Sequence, residues 1–274
     1  MKTYPCVLTI AGSDCSGGAG IQADIKTISA LGAYAASAIT AVTVQNTLGV
    51  TDIHPIPPSI VKGQIEAVMT DIRPEVIKIG MINDIQIVKV IAGAIKKFKP
   101  RYVVFDPVMV STSGCKLIED DAIEVIKQYL IPLATIITPN LSEAEVLSGT
   151  HLPDVDSMKQ TAVKLLQLGC QSVLIKGGHL EGNRMCDILQ VKGETEAYMF
   201  SALKVDSQNT HGTGCTLSSA IASFLSLGHS LPAAVEKAKA YVYQGIMEGK
   251  DVHIGDGHGP LNHFHSPVKM HILE

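Results

Sequence analysis

Residues 7–44, VLTIAGSDCSGGAGIQADIKTISALGAYAASAITAVTV, decide the fold. The stretch opens on the apolar run Val7-Leu8-Thr9-Ile10 and passes through a glycine-rich turn. Ile21, Ile25, Ile28 and Leu31 then recur at helical spacing up to Gly32, and a β-branched run, AITAVTV, fills 38–44. The same alternation continues along the chain. A helix is predicted after Pro57-Pro58, where proline suits a first turn, and further helices over 84–98 and 157–168. Between them, Val76-Ile77-Lys78-Ile79, Tyr102-Val103-Val104-Phe105, Thr135-Ile136-Ile137-Thr138 and Ser172-Val173-Leu174-Ile175 read as strands. Strands apolar on both faces, separated by helix-length segments, predict a three-layer α/β sandwich: a mostly parallel central sheet with helices on both faces. Asp187 to Val191 and Ala197 to Phe200, split by Lys192-Gly193-Glu194, read as an antiparallel pair at the sheet edge.

No linker, repeat or low-complexity tract interrupts the 274 residues, so one domain over 1–274 is expected. Apolar residues make up 46% and charged residues 18%, a globular balance. A net charge of −4, with seven Tyr, five Phe and no Trp, argues against a nucleic-acid partner, which needs a basic face and rings to stack on. The cysteines at 6, 15, 115, 170, 186 and 215 form no CxxC pair, which argues against structural zinc. No stretch reaches the roughly 18 apolar residues of a membrane helix, and the first apolar run is too short for a signal segment. The expectation is a cytoplasmic protein with reduced thiols and no membrane partner.

In open α/β sheets, ligands sit beyond the carboxyl ends of the strands, which selects Gly12-Ser13-Asp14, Gln45-Asn46, Gly80-Met81, Asp106-Pro107-Val108, Pro139-Asn140 and Lys176-Gly177-Gly178. The glycine-rich 11–20 segment is not a Walker loop, because Gly18 stands where the lysine belongs. Nor is it a convincing dinucleotide fingerprint, because Gln45 and Asn46 occupy the region of the ribose-binding acid. Its glycines are open to a purely conformational reading, and Asp24 to that of a solvated carboxylate at a helix start.

The sharper signal is Asn209-Thr210-His211-Gly212-Thr213-Gly214-Cys215-Thr216-Leu217, followed by a helical run of small and apolar residues. Glycines around a threonine at a helix start let backbone N–H groups converge on an anion, which is what a phosphoryl-transfer transition state requires. Cys215 falls in the first turn, where the helix dipole is expected to favour its thiolate; a glycine-rich cap with a buried cysteine is the plainer alternative. Asp106 and Glu143 follow neighbouring strands and could hold Mg²⁺, while Lys176 could face phosphates. A turn, a helix cap and a surface ion pair are the respective alternatives.

These residues resemble the ribokinase-like kinases and, more narrowly, the hydroxymethylpyrimidine/phosphomethylpyrimidine kinases of thiamine synthesis. The likeness runs through AGSDCSGGAGIQADIKT (11–27), Gln45-Asn46-Thr47, KIGM (78–81), DPVM (106–109), ITPNLSEAE (137–145), KGGH (176–179), NTHGTGCTLSSAIA (209–222) and GDGHGPLNHFH (255–265). It implies a cytosolic homodimer that uses ATP and Mg²⁺ to phosphorylate 4-amino-5-hydroxymethyl-2-methylpyrimidine and then its monophosphate. A pyridoxal or pyridoxine kinase activity of vitamin B6 salvage, as the main or a secondary activity, is the alternative. Carried over by motif, Gln45 would hydrogen-bond the pyrimidine, with Gly12, Asp24, Met81 and Val108 around it. Gly212 and Gly214 would flank the anion hole, Lys176 would contact phosphate, Asp106 and Glu143 would organise magnesium, and the Cys215 thiolate would act as base. The likeness also places Cys115 in a flap over the site, beyond the usual place of the flap cysteine of related pyridoxal kinases. The tail residues His253, His258, His263 and His265 lack accompanying ligands at metal-binding spacing. His211 reads as a positioning or packing residue.

Overall fold

The computed structural model describes residues 2–109, 118, 120–178 and 183–274. Cys115, most of the flap segment and His179 of the KGGH motif lie outside the described residues.

The chain forms a three-layer α/β fold around one nine-stranded sheet of order β3-β2-β1-β4-β5-β6-β7-β8-β9. The strands are β1 (Cys6–Asp14), β2 (Tyr34–Asn46), β3 (Gly49–Pro55), β4 (Val76–Ile79), β5 (Tyr102–Phe105), β6 (Ile136–Ile137), β7 (Ser172–Ile175), β8 (Arg184–Val191) and β9 (Tyr198–Leu203). The helices are α1 (Gly20–Ala30), α2 (Pro58–Asp71), α3 (Ile85–Phe98), α4 (Asp120–Tyr129), α5 (Leu141–Ser148), α6 (Val155–Leu166), α7 (Thr213–Ser226) and α8 (Leu231–Gly249). Pairings from β2 through β7 are parallel, and both edges are antiparallel: β3 on β2, and β8 and β9 beyond β7.

The predicted spans of β4, β5 and β7 coincide with the observed ones. Their residues are nearly all buried, so the apolar runs carry the signal unbroken. Strand β3 was not read from the sequence. Its residues GVTDIHP are half-buried or exposed, and an edge strand of that kind has no apolar periodicity to show. The β8–β9 pair sits at the expected edge, but β8 begins at Arg184 rather than Asp187, and β9 runs from Tyr198 to Leu203 rather than from Ala197 to Phe200.

Alternate strand residues enter different apolar clusters. Leu8, Ile10, Ile77 and Ile79 join side chains of α2, α3, α4 and α6, whereas Val7, Val76 and Val104 join side chains of α1, α7 and α8. The strand order reverses between β1 and β4, where such sheets open a crevice. Backbone pairing continues past the strand ends: Gly80 donates to Ile10, Asp106 to Ile79, Thr138 to Phe105 and Lys176 to Pro139, each at 2.9 or 3.0 Å. That ladder draws residues 80, 106, 138 and 176 into one row at the carboxyl edge.

Candidate active site

A cavity of about 790 Å³ opens along this row. Gly12, Gln45, Met81, Asp106, Val108, Glu143, Lys176, Gly212, Gly214 and Cys215 all line it; Asp24 does not.

One wall is apolar. Met81 packs with Ala41, Ile53 and Val108, and a Cβ on Gly12 would stand 2.8 Å from the Met81 methyl, so glycine lets strand β1 approach the thioether. Gln45, at the end of β2, reaches into the cavity beside Thr43 and His211.

The opposite end is charged. Lys176 Nζ lies 2.9 Å from Asp106 Oδ1 and 4.0 Å from Glu143 Oε2. Asp106 also accepts from Thr138 Oγ1 at 3.0 Å and from Ser218 Oγ, in α7, at 3.3 Å. Burial alone would raise the Asp106 carboxyl, but Lys176 and Lys78 outweigh it and hold it below the ordinary range. Glu143 goes the other way: burial, aided by the negative charge of Asp106 and opposed by Lys176, pushes it up to about 7. Burial likewise works against the Lys176 charge, yet Asp106 and Glu143 hold that lysine above its usual range. Glu143 is at once a cavity residue and a helix cap: with Asn140 it closes a capping box at the start of α5. The surface-pair alternative for Lys176 does not hold, because its partner Asp106 is 1% exposed.

Helix α7 aims its N-terminus at this end. Gly212 is its N-cap, left-handed at φ 81°, and a Cβ there would fall 1.8 Å from the Gly18 carbonyl oxygen. The two glycine-rich segments therefore touch. A Cβ on Gly214 would stand 3.5 Å from both Asp106 Oδ2 and Lys176 Nζ, which sets the helix start directly over the charged pair.

Two expectations are corrected. Cys215 is half-buried in the first turn of α7, but its thiol is pushed up to about 11 rather than down. Burial is the main cause, with Asp24 and Asp106 adding negative charge against Lys78 and a backbone hydrogen bond from Gly20. Asp24 is neither a solvated carboxylate nor part of the cavity wall. It is fully buried beneath the site, bonded to Thr9, Lys78 and Ser219.

Residues without an assigned role in the sequence reading also gather here. Asp14 accepts from Ser16, Gly18 and Ala19 backbone N–H groups and pairs with His211 at 2.9 Å. The buried Lys78 lies under the site; a lysine inside the apolar run VIKI signals an internal carboxylate partner. The tail wraps back onto the site: His211 N–H donates to Gly259, and Asn209 Nδ2 donates to the carbonyls of Gly249 and Val252. Among the described residues, no group of three or more His, Cys, Asp or Glu side chains is arranged to hold a metal ion, and no helix is long and apolar enough to cross a membrane.

The phosphomethylpyrimidine kinase family model matches residues 14–262. The chain belongs to the phosphomethylpyrimidine kinase family. It is 45% identical to the hydroxymethylpyrimidine/phosphomethylpyrimidine kinase of Rhizobium meliloti over 94% of this chain and 96% of that protein. It is 46% identical to a thiamine biosynthesis bifunctional protein of Geobacter sulfurreducens over 94% of this chain, and the aligned part spans 52%, about half, of that longer protein. Among solved structures, the ADP complex of Bacillus subtilis pyridoxal kinase superposes with a TM-score of 0.87 at 34% identity, over 95% of this chain and 98% of that one. Phosphomethylpyrimidine kinases and pyridoxal kinases thus share this ribokinase-like fold.

Proposed function

We propose that this member of the phosphomethylpyrimidine kinase family transfers phosphate from ATP to the hydroxymethyl group of 4-amino-5-hydroxymethyl-2-methylpyrimidine, and then to the monophosphate so formed. The observation that carries the reading is a single cavity. Gln45, Met81 and Val108 stand at one end, and the start of α7 meets Asp106 and Lys176 at the other.

Gln45 binds the ring edge, since an amide supplies both a donor and an acceptor. Met81, Val108 and Gly12 supply the apolar wall. Backbone N–H groups from Gly212 to Gly214 receive the transferred phosphoryl oxygens, and Lys176 adds positive charge there. Val205, Leu217, Val242 and Ile246 extend the cavity as an apolar surface suited to a nucleobase. Asp106 and Glu143, two carboxylates that share Lys176, are a donor set that fits a magnesium ion, which takes one or two carboxylates together with phosphates and water. When bound, Mg²⁺ neutralises phosphate charge, and Asp106 and Glu143 are the residues that hold it. Cys215 accepts the hydroxymethyl proton. With its thiol near 11 before ligands bind, that role requires the thiol first to give up its own proton, which burial opposes and the positive charge of Lys78 favours.

The two apolar clusters that divide alternate strand residues support a sandwich with helices on both faces. A homodimer in the cytoplasm completes the reading.

The test is ADP release with the hydroxymethylpyrimidine, its monophosphate, pyridoxal and pyridoxine in parallel. Turnover of both pyrimidines is expected. No turnover on any of the four overturns the kinase reading, and a preference for pyridoxal reverses the order of substrates. The pyridoxal activity is kept as the second reading because of the likeness to the Bacillus subtilis enzyme.

A further inference from the structure

The hydrogen bonds around Gln45 run in one direction. Thr43 Oγ1 lies 2.9 Å from the Ser13 carbonyl oxygen and 3.2 Å from Gln45 Oε1. A hydroxyl carries one hydrogen and a carbonyl only accepts, so that hydrogen goes to Ser13. Toward Gln45 the hydroxyl presents a lone pair.

On the other side, His211 Nε2 lies 2.9 Å from Asp14 Oδ2 and 3.3 Å from Gln45 Nε2. Burial would raise the Asp14 carboxyl, but hydrogen bonds from His211, Ser16 and Ala19 hold it well below the carboxylate range. Asp14 is therefore a carboxylate that only accepts, and His211 Nε2 carries the proton between them. A protonated Nε2 has no lone pair for an amide N–H. Both neighbours thus favour the same arrangement, with the Gln45 amide oxygen toward His211 and its nitrogen toward Thr43. A half-turn of the amide reaches it.

We propose that Asp14, His211 and Thr43 are positioning residues that lock the Gln45 amide this way round and so set the donor–acceptor order the site reads on its pyrimidine. The inference rests on Gln45 as the pyrimidine-binding residue. Once locked, the amide has one N–H and one oxygen lone pair left for the ligand. A 4-aminopyrimidine presents a ring nitrogen acceptor beside an amino donor. Its 4-oxo analogue presents a ring N–H beside a carbonyl, the same two positions with opposite sense. A free amide turns over to suit either, whereas a locked one accepts only the first.

The experiment compares kcat/KM for 4-amino-5-hydroxymethyl-2-methylpyrimidine with that for its 4-oxo analogue. The unaltered protein should prefer the amino compound by about 100-fold or more, since mismatched polar groups are left unpaired. Thr43→Val keeps the shape and removes the lone pair, and should bring the ratio to about tenfold or less; Thr43→Ser should restore it. His211→Asn gives a second reading of the same ratio should Thr43→Val fold poorly. Damage to folding lowers both substrates together and leaves the ratio alone. An unaltered ratio in the Thr43→Val or His211→Asn protein, or little discrimination before substitution, overturns the lock. No turnover of the amino compound by the unaltered protein overturns the proposed function instead.

Discussion

Lys78 Nζ lies 2.8 Å from both carboxylate oxygens of Asp24, and neither side chain has any exposed surface. The pair ties β4 to α1 directly under the start of α7, and Asp24 extends it to Thr9 in β1 and Ser219 in α7. Burial disfavours the ammonium, but Asp24, with smaller contributions from Cys215 and Asp106, holds Lys78 above its ordinary range.

Breaking that pair on one side leaves a charge with no solvent. Asp24→Ala is expected to cost about 3–5 kcal/mol in urea unfolding, whereas the double change Asp24→Leu with Lys78→Met should recover most of it. A single variant as stable as the original protein would refute the charge argument.

His263 gives a pH signature. It is 5% exposed, its Nε2 has no hydrogen-bond partner among the described residues, and burial together with the positive charge of Lys26 and the proximity of His211 lowers it to about 4, against an opposing pull from Asp14 and a Gly18 backbone contact. A histidine whose folded value is depressed is neutral in the fold and binds protons more readily when unfolded. Its contribution to stability is therefore complete above about 6.5 and is lost as pH falls toward 4. Between pH 7 and pH 5 this amounts to roughly 2 kcal/mol. The loss should shrink by that amount in His263→Gln, measured by denaturant titration at the two pH values.

Gly212→Ala combines a left-handed φ with a Cβ 1.8 Å from the Gly18 carbonyl. The contact is backbone, so neither side can swing away. A fall in kcat of about 100-fold or more is expected, the scale seen when one preorganised donor is displaced, and the binding of ATP should weaken with it. Normal kinetics in this variant would show that the two glycine segments need not touch.

The Cys215 thiol, pushed up to about 11, should alkylate slowly at pH 7 in the ligand-free protein, with a rate that keeps rising beyond pH 10. Cys215→Ala should lower kcat by about 10²-fold or more. Wild-type turnover in that variant would remove the cysteine from the chemistry.

Much of this site was legible before folding. Gln45 ends a strand and Asp106, Glu143 and Lys176 follow strands, and parallel strands deliver their carboxyl ends to one edge, so residue order alone predicts their meeting. Helix α7 announced itself through Gly212, because few other residues permit that left-handed cap. Strand β3 stayed hidden because its edge position leaves it no apolar rhythm. The direction of the Cys215 shift was misjudged because a helix start favours a thiolate while burial opposes it, and the balance depends on neighbours far away in the chain.

The sequence by itself determined the layered α/β fold, the strands buried on both faces and the chemical types at the carboxyl edge, because these follow from local periodicity and strand order. Only the tertiary structure decided which charges pair and which are desolvated: Asp24 withdrawn under the site with Lys78, Asp14 joined to His211 across 197 positions of sequence, and Glu143 raised beside Asp106. Electrostatic interaction depends on distance and on exclusion of water, and neither is set until the helices close over the sheet.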